Sequence, residues 1–221
     1  MLLGRDDVDA DKPDIDGQTP LCCAAQNGHE GVVKMLLGRH DVIPDKPGNG
    51  GRTPLCCAAQ NGHEGVVKIL LGRGDVDLNI PDQYGRTPLC CSAQNGHEGV
   101  VKMLLGRDDV NPNIGDTAGQ TPLSWAAQNG HDGVVKMLLG RGDVNPNIGD
   151  TAGRTPLSWA AQNGHEGVVK ILLGRGDLNL NIPDQYGRTP LCCAAQNGHE
   201  GVVKMLLGRD DVTTNKPDNR R

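Results

Sequence analysis

Eight cysteines are the residues of this 221-residue chain best suited to chemistry, and all of them occur in adjacent pairs. The pairs are Cys22-Cys23, Cys56-Cys57, Cys90-Cys91 and Cys192-Cys193. Neighbouring residues on a helix point about 100° apart, so a single pair is poorly placed to chelate a metal. Equivalent cysteines on packed helices would be about 8–10 Å apart, whereas zinc binds sulfur at about 2.3 Å. We therefore predict reduced cysteines that fill a core, with no cofactor; a cysteine-based metal or redox protein is the weaker alternative.

Six histidines form the second candidate set, one at each return of the phrase Asn-Gly-His. They are His29, His63, His97, His131, His165 and His199. A catalytic histidine needs a partner and a pocket, and the surrounding sequence indicates neither. Identical residues at a constant interval are more typical of a structural role, here a hydrogen bond to the backbone of a neighbouring copy. We predict that the protein is not an enzyme.

The tripeptide Arg-Gly-Asp occurs at residues 73–75, 141–143 and 175–177 and could be interpreted as an adhesion signal. Each copy follows an apolar helical run, where Arg suits the negative end of the helix dipole and Gly suits a cap. No basic and apolar leader begins the chain, so secretion is not expected. We predict a cytosolic protein, with the nucleus as the alternative compartment.

A fixed period positions all of these residues. Six Thr-Pro-Leu phrases follow one another at intervals of 34 residues, beginning at Thr19, Thr53, Thr87, Thr121, Thr155 and Thr189. Such a period predicts a stack of identical units rather than one globular core. Aromatic residues make up only 2% of the chain, so the core must consist of Leu, Val, Ala and Met.

One copy, residues 116–149, illustrates the unit. Thr121 followed by Pro122 predicts a capped helix start, and Gly130 closes a first helix of about eight residues. Asp132 favours the start of a second helix, which carries a Val/Leu stripe on one side. The stretch after it is rich in Gly, Pro, Asn and Asp and predicts an extended turn.

Charge and hydropathy exclude two classes of partner. The formal net charge is −5, which leaves no basic footprint for nucleic acid. The longest apolar runs are far too short to cross a bilayer, so no membrane contact is expected.

The Thr-Pro-Leu phrase, the Gly-His pair and the Val/Leu-rich second helix resemble the signature of the ankyrin-repeat family. Two departures are visible: the family histidine after Thr-Pro-Leu is Cys or Ser here, and the unit has 34 residues against the commoner length of about 33. The resemblance implies an all-α solenoid of helix-turn-helix units joined by short β-hairpin turns. It divides the chain into a partial repeat at residues 1–13, six repeats at 14–212 and a disordered tail at 213–221.

The resemblance also implies a function. Ankyrin arrays bind partners largely through hairpin tips and the exposed ends of the first helices. We therefore predict a non-enzymatic scaffold that binds a protein partner through its hairpin tips and concave face. Tyr and Arg are enriched in protein interfaces, which makes the tip residues the first candidates. The predicted partner-binding residues are Tyr84, Arg86, Tyr186, Arg188, Arg52, Arg154, Gln94 and Asn95.

An alternative function follows from the wording of the repeats, which is similar to long ankyrin arrays of filamentous fungi. Such arrays often form the C-terminal sensor of a larger NLR-like signalling NTPase. The chain has no Gly-rich phosphate loop, so that activity would lie outside it. Residues 1–8 match residues 103–110, so the chain begins inside a unit and is expected to be a fragment. Solenoids normally need polar end caps, and we expect self-association through the uncapped ends.

Overall fold

The computed structural model describes residues 9–213. Within that range the chain forms twelve α-helices and no β-strand, which confirms the predicted all-α helix-turn-helix fold. Residues 1–8 and residues 214–221, which hold most of the predicted tail, lie outside the described residues.

Each repeat contributes two antiparallel helices. The first helices of the repeats are α1 (Pro20–Gln26), α3 (Pro54–Gln60), α5 (Pro88–Gln94), α7 (Pro122–Gln128), α9 (Pro156–Asn163) and α11 (Pro190–Gln196). The second helices are α2 (Glu30–Leu37), α4 (Glu64–Leu71), α6 (Glu98–Leu105), α8 (Asp132–Leu139), α10 (Glu166–Leu173) and α12 (Glu200–Leu207). A short 3-10 turn at Asn49–Gly51 precedes α3.

Local capping sets the limits of the first helices, as the sequence predicts. At α3 the Thr53 hydroxyl accepts a hydrogen bond from the Cys56 N–H at 3.2 Å, and Pro54 occupies the first helical position. The helix ends at Gln60, Asn61 is its C-cap, and Gly62 follows with φ +72°. Only glycine adopts this left-handed conformation without strain, so the Asn-Gly pair ends the helix instead of forming a hairpin.

The helices form two compact units, one of α1–α6 and one of α7–α12. In the first unit α1, α3 and α5 pack in a row, and α2, α4 and α6 form a second row. The second unit repeats this arrangement with α7, α9 and α11 beside α8, α10 and α12. Leu55, Val66 and Leu70 are fully buried between the rows. Their burial supplies the stabilisation that no single pair of helices could reach alone.

The turns between repeats are tighter than the predicted β-hairpins. In one of them the Asp82 N–H donates to the Arg86 carbonyl at 3.0 Å, and the Gly85 N–H donates back to the Asp82 carbonyl at 2.9 Å. These two hydrogen bonds close the turn, but they do not form the ladder of a β-hairpin, so no strand is present there. The turns are joined instead to their neighbours, since the Gln83 N–H donates to the Gly50 carbonyl at 2.8 Å. We call this edge of each unit the tip surface.

The histidines join successive repeats, as predicted. His63 Nε2 lies 2.9 Å from the Gln26 carbonyl, and His97 Nε2 lies 3.0 Å from the Gln60 carbonyl. A carbonyl oxygen can only accept, so Nε2 carries the proton in each case. His165 and His199 make the same bond inside the second unit. The imidazoles therefore satisfy carbonyls at the ends of the first helices and have a structural role.

Candidate functional site

In three of the tips a buried aspartate, Asp82, Asp150 or Asp184, holds the turn together. Asp82 Oδ1 accepts the backbone N–H groups of Tyr84 and Arg86, both at 2.9 Å. Its Oδ2 receives Nε and Nη2 of Arg86 at 3.0 and 2.7 Å. Only 1% of the Asp82 side chain is exposed, so the carboxylate stabilises the turn and is not available to a ligand.

Tyr84 is the exposed part of this tip, with 55% of its surface accessible. The Arg86 guanidinium lies over its ring at 5.1 Å from the centroid. The second unit carries the same arrangement, with Tyr186 58% exposed and Arg188 at 5.0 Å from its ring. Each arginine therefore contacts an exposed tyrosine ring, and a cation–π contact of this kind favours one position of the ring.

The Asp184 carboxyl shows the electrostatics of this tip. Burial raises its pKa, but the hydrogen bonds from the Arg188 guanidinium and the Arg188 and Tyr186 N–H groups outweigh burial and hold the pKa below its ordinary value. Asp184 is therefore ionised at neutral pH, and Arg188 is its counter-ion.

The remaining predicted residues occupy three different positions. Gln94 belongs to the first tyrosine tip, because its Oε1 accepts Arg86 Nη1 at 3.1 Å. Asn95 is exposed at the end of α5, where its Nδ2 donates to the Cys91 carbonyl at 2.8 Å. Arg52 lies on the preceding turn and donates to Gln60 Oε1 at 3.3 Å.

Arg154 differs from the other tip arginines. Its guanidinium lies 3.8 Å from the centroid of the Trp159 ring, and its Nε donates to Asp150 Oδ2 at 3.0 Å. The side chain borders a cleft of about 250 Å³ that joins two successive tips of the second unit. The lining residues are Ala152, Arg154, Asp184, Gln185, Tyr186 and Arg188. We call this the Arg154 cleft.

Sequence reasoning missed the tip aspartates and the tryptophan. Asp82, Asp150 and Asp184 all stand four residues before an arginine, and this repeated spacing could have identified the three aspartate–arginine pairs. In the sequence Trp159 is only a substitute for cysteine in a packing position. Its effect on Arg154 depends on how the ring lies, which the spacing does not show.

The cysteines are free, and most are buried, in agreement with the predicted core role. Thiols of non-equivalent cysteines hydrogen-bond to each other, Cys22 to Cys57 and Cys56 to Cys91. The spacing of equivalent positions does not predict these contacts. The bond from Cys57, the largest effect, lowers the pKa of the Cys22 thiol, although burial raises it. The same bond, with burial, raises the pKa of Cys57.

Burial predicts how the thiols react. Cys192 is exposed and Cys23 half-buried, whereas the other six cysteines are buried. We expect 5,5′-dithiobis(2-nitrobenzoate) to titrate one thiol rapidly in the folded protein, a second more slowly, and the rest only on unfolding. Cys192→Ser should remove the rapid phase. Rapid reaction of Cys22 in the folded chain would show that its lowered pKa matters more than its burial.

The Arg-Gly-Asp segments are closed ion pairs. Arg73 Nε and Nη2 donate to the two carboxylate oxygens of Asp75 at 2.8 and 2.6 Å. The same side chain donates through Nη1 to the Leu37 carbonyl of the preceding repeat at 2.9 Å. Each Arg-Gly-Asp segment is thus closed by its own ion pair, and Arg73 also connects two repeats. Both contacts support the structural interpretation.

Apolar side chains are exposed at the outer helix pairs. Val32 and Met35 of α2 are 44% and 56% exposed, and Leu207 of α12 is 53% exposed. Self-association through these positions remains a prediction.

Residues 9–213 contain neither a membrane-spanning helix nor a cluster of metal ligands. No helix there is long and apolar enough to cross a membrane. In the same range, no group of three or more His, Cys, Asp or Glu residues could hold a metal ion.

Comparison with known protein families gives one match. A family model described as ankyrin repeats (3 copies) matches residues 1–82, 73–150 and 142–218. No curated protein matches the chain. The family matches together cover all six helix pairs.

Proposed function

The chain belongs to the ankyrin-repeat family, whose members are in general protein-interaction modules, and from this we propose that it is a non-enzymatic scaffold that binds a protein partner through its tip surface. The observation that carries the proposal is the pair of exposed tyrosines, Tyr84 and Tyr186. Each is more than half exposed and is held by an arginine that is itself paired with a buried aspartate.

Aromatic side chains that are ordered before binding are efficient interface anchors, because little side-chain entropy remains to be lost. Arg86 and Arg188 are only 18% and 26% exposed at the side chain. Both arginines are therefore mostly covered, and each supports the tyrosine ring beside it. Gln94 belongs to this support, and Asn95 adds a polar group at the edge of the same face.

The test uses a random twelve-residue peptide library displayed on phage, selected against the immobilised chain. Peptides that survive selection are synthesised, and their dissociation constants are measured by fluorescence anisotropy. We expect Tyr84→Ala with Tyr186→Ala to weaken binding of the selected peptides by about tenfold or more.

Two control variants separate binding from folding. Tyr84→Phe with Tyr186→Phe keeps both rings and should keep most of the affinity. Thr117→Ala changes an exposed tip residue outside the tyrosine tips and should have no effect. Unchanged affinity in the double alanine variant, with an unchanged melting temperature, would remove the tyrosines from the proposed interface.

A further inference from the structure

We propose that the Arg154 cleft binds a carboxylate side chain, an Asp or Glu residue of the partner. This inference rests on the proposed function and specifies the chemistry of the partner at one place on the tip surface.

The Arg154 guanidinium has unused donors. Its Nε donates to Asp150 Oδ2 at 3.0 Å, and the two side chains form an ion pair, but among the described residues neither Nη group has a hydrogen-bond partner. About 29% of the side chain is exposed, and the plane is held against the Trp159 ring. Free Nη groups on a fixed plane match the two oxygens of a carboxylate.

The arginine of the first tyrosine tip is used differently. Arg86 places Nε and Nη2 on Asp82 and Nη1 on Gln94, so its donors are used within the tip. The residue five positions after Arg86 is Cys91, whereas the residue five positions after Arg154 is Trp159. The indole stacks with the Arg154 guanidinium, and only Nε of that guanidinium donates to the tip aspartate.

The other tryptophan repeat satisfies its indole internally. There Trp125 Nε1 donates to Asp116 Oδ2 at 3.1 Å, and Gln120 stands at the position of Arg154. In the Arg154 repeat Arg154 takes the equivalent oxygen of Asp150, and the indole N–H of Trp159 has no partner although the residue is only 7% exposed. In this repeat one buried N–H group, that of the Trp159 indole, lacks a hydrogen bond, and the two Nη groups of Arg154 are free to donate. Buried polar groups are normally hydrogen-bonded, and exceptions are typical of functional positions.

The distribution of charge favours an anion at the mouth of the cleft. Asp184 lines the cleft and Asp150 is bonded to the lining residue Arg154, but each carboxylate side chain is only 1% exposed and each is paired with its own arginine. Asp150 Oδ1 accepts the N–H groups of Ala152 and Arg154, both at 2.9 Å. The two carboxylates are therefore almost completely covered, whereas the side chains of Arg154 and Arg188 are 29% and 26% exposed. The exposed Tyr186 ring forms a side wall for the aliphatic part of an acidic residue.

The experiment uses Arg154→Gln, which copies the Gln120 and Trp125 arrangement and so should fold. The probes are peptides selected from the twelve-residue library on the wild-type chain, each with a counterpart in which Asp or Glu is replaced by Asn or Gln. We expect the selected peptides to share an acidic position, and both Arg154→Gln and the peptide replacement to weaken binding about tenfold. The two changes combined should cost little more than either alone.

The outcomes separate this inference from the proposed function. Peptides without a shared acidic position, or equal affinity for the wild type and Arg154→Gln, would overturn the carboxylate assignment. If those peptides still depend on Tyr84 and Tyr186, the interaction function stands and only the partner chemistry fails. Recovery of no binding peptide would overturn both. The melting temperature of Arg154→Gln checks that its fold is intact.

Discussion

Gly62→Ala is expected to lower the free energy of unfolding by about 3 kcal/mol. Gly62 has φ +72°, where any side chain is strained, and a Cβ there would lie 2.7 Å from Nδ1 of His97. The imidazole cannot move away without losing the hydrogen bond from its Nε2 to the Gln60 carbonyl, which is 3.0 Å long. Backbone strain and the clash therefore add at one position. The substitution should loosen the contact between the second and third repeats.

Gly198→Ala is the matched control for the Gly62 substitution. Gly198 has φ +74°, but a Cβ added there would meet no atom within 4 Å, so the control carries the backbone strain alone. We expect a loss of about 1–2 kcal/mol for it. Repeat arrays can unfold in parts, so hydrogen exchange of α3 and α11 should accompany urea denaturation. Equal losses in the two variants would mean that contact with His97 does not constrain the turn.

Asp45→Asn is expected to raise the free energy of unfolding by about 1–2 kcal/mol. The reason is a row of asparagines in the turns that follow the second helices. Asn79 shows the pattern: its Nδ2 donates to the Asp109 carbonyl at 2.7 Å, and its Oδ1 accepts the Asn111 N–H at 2.9 Å. Asn113, Asn147 and Asn181 bond the carbonyl at the same spacing.

Asp45 stands one repeat before Asn79, at the equivalent position, and has a carboxylate in place of the amide. Its Oδ2 accepts the Asp77 N–H at 2.8 Å, as an asparagine oxygen would. Its Oδ1 is buried without a partner, since a carboxylate cannot donate to the Asp75 carbonyl as the amide of Asn79 donates to Asp109. Replacement by Asn supplies the missing donor and removes a buried charge.

The effect of Asp45→Asn should depend on pH. Burial, the largest effect, and the charges of Asp77 and Asp75 raise the pKa of Asp45. The folded wild type therefore binds this proton more tightly than the unfolded chain, and the associated stabilisation is present at low pH and lost as pH rises through the folded pKa. The advantage of Asn should be largest near neutral pH and smaller near pH 4. Urea denaturation at both values measures it.

Asn79→Asp is the reciprocal control for Asp45→Asn. It places a carboxylate opposite the Asp109 carbonyl and should destabilise the protein by a similar amount at neutral pH, with recovery on acidification. An advantage of Asp45→Asn that does not vary with pH would contradict the assignment of the unpaired oxygen.

Much of the fold could be predicted because the signals are local. Thr53 caps α3 through a residue three positions later, and Gly62 ends it through its own backbone angle. The histidine bond to a neighbouring backbone was also predictable, because one residue per repeat at a fixed interval meets the same surroundings each time. The predicted short hairpins are observed within residues 9–213 as turns without paired strands.

The candidate site was less predictable because it depends on pairs of side chains from neighbouring repeats and on their sizes. The contact of Cys22 with Cys57 joins the first cysteine of one repeat to the second cysteine of the next, an offset that the period does not contain. The free Nη donors of Arg154 occur where an indole follows the arginine by five positions, whereas Arg52, Arg86 and Arg188 are followed there by a cysteine. Periodicity and capping are properties of the chain, so the sequence determines the helices and their stacking. Which side chains are used internally and which remain free depends on packing between repeats, and only the tertiary structure decides it.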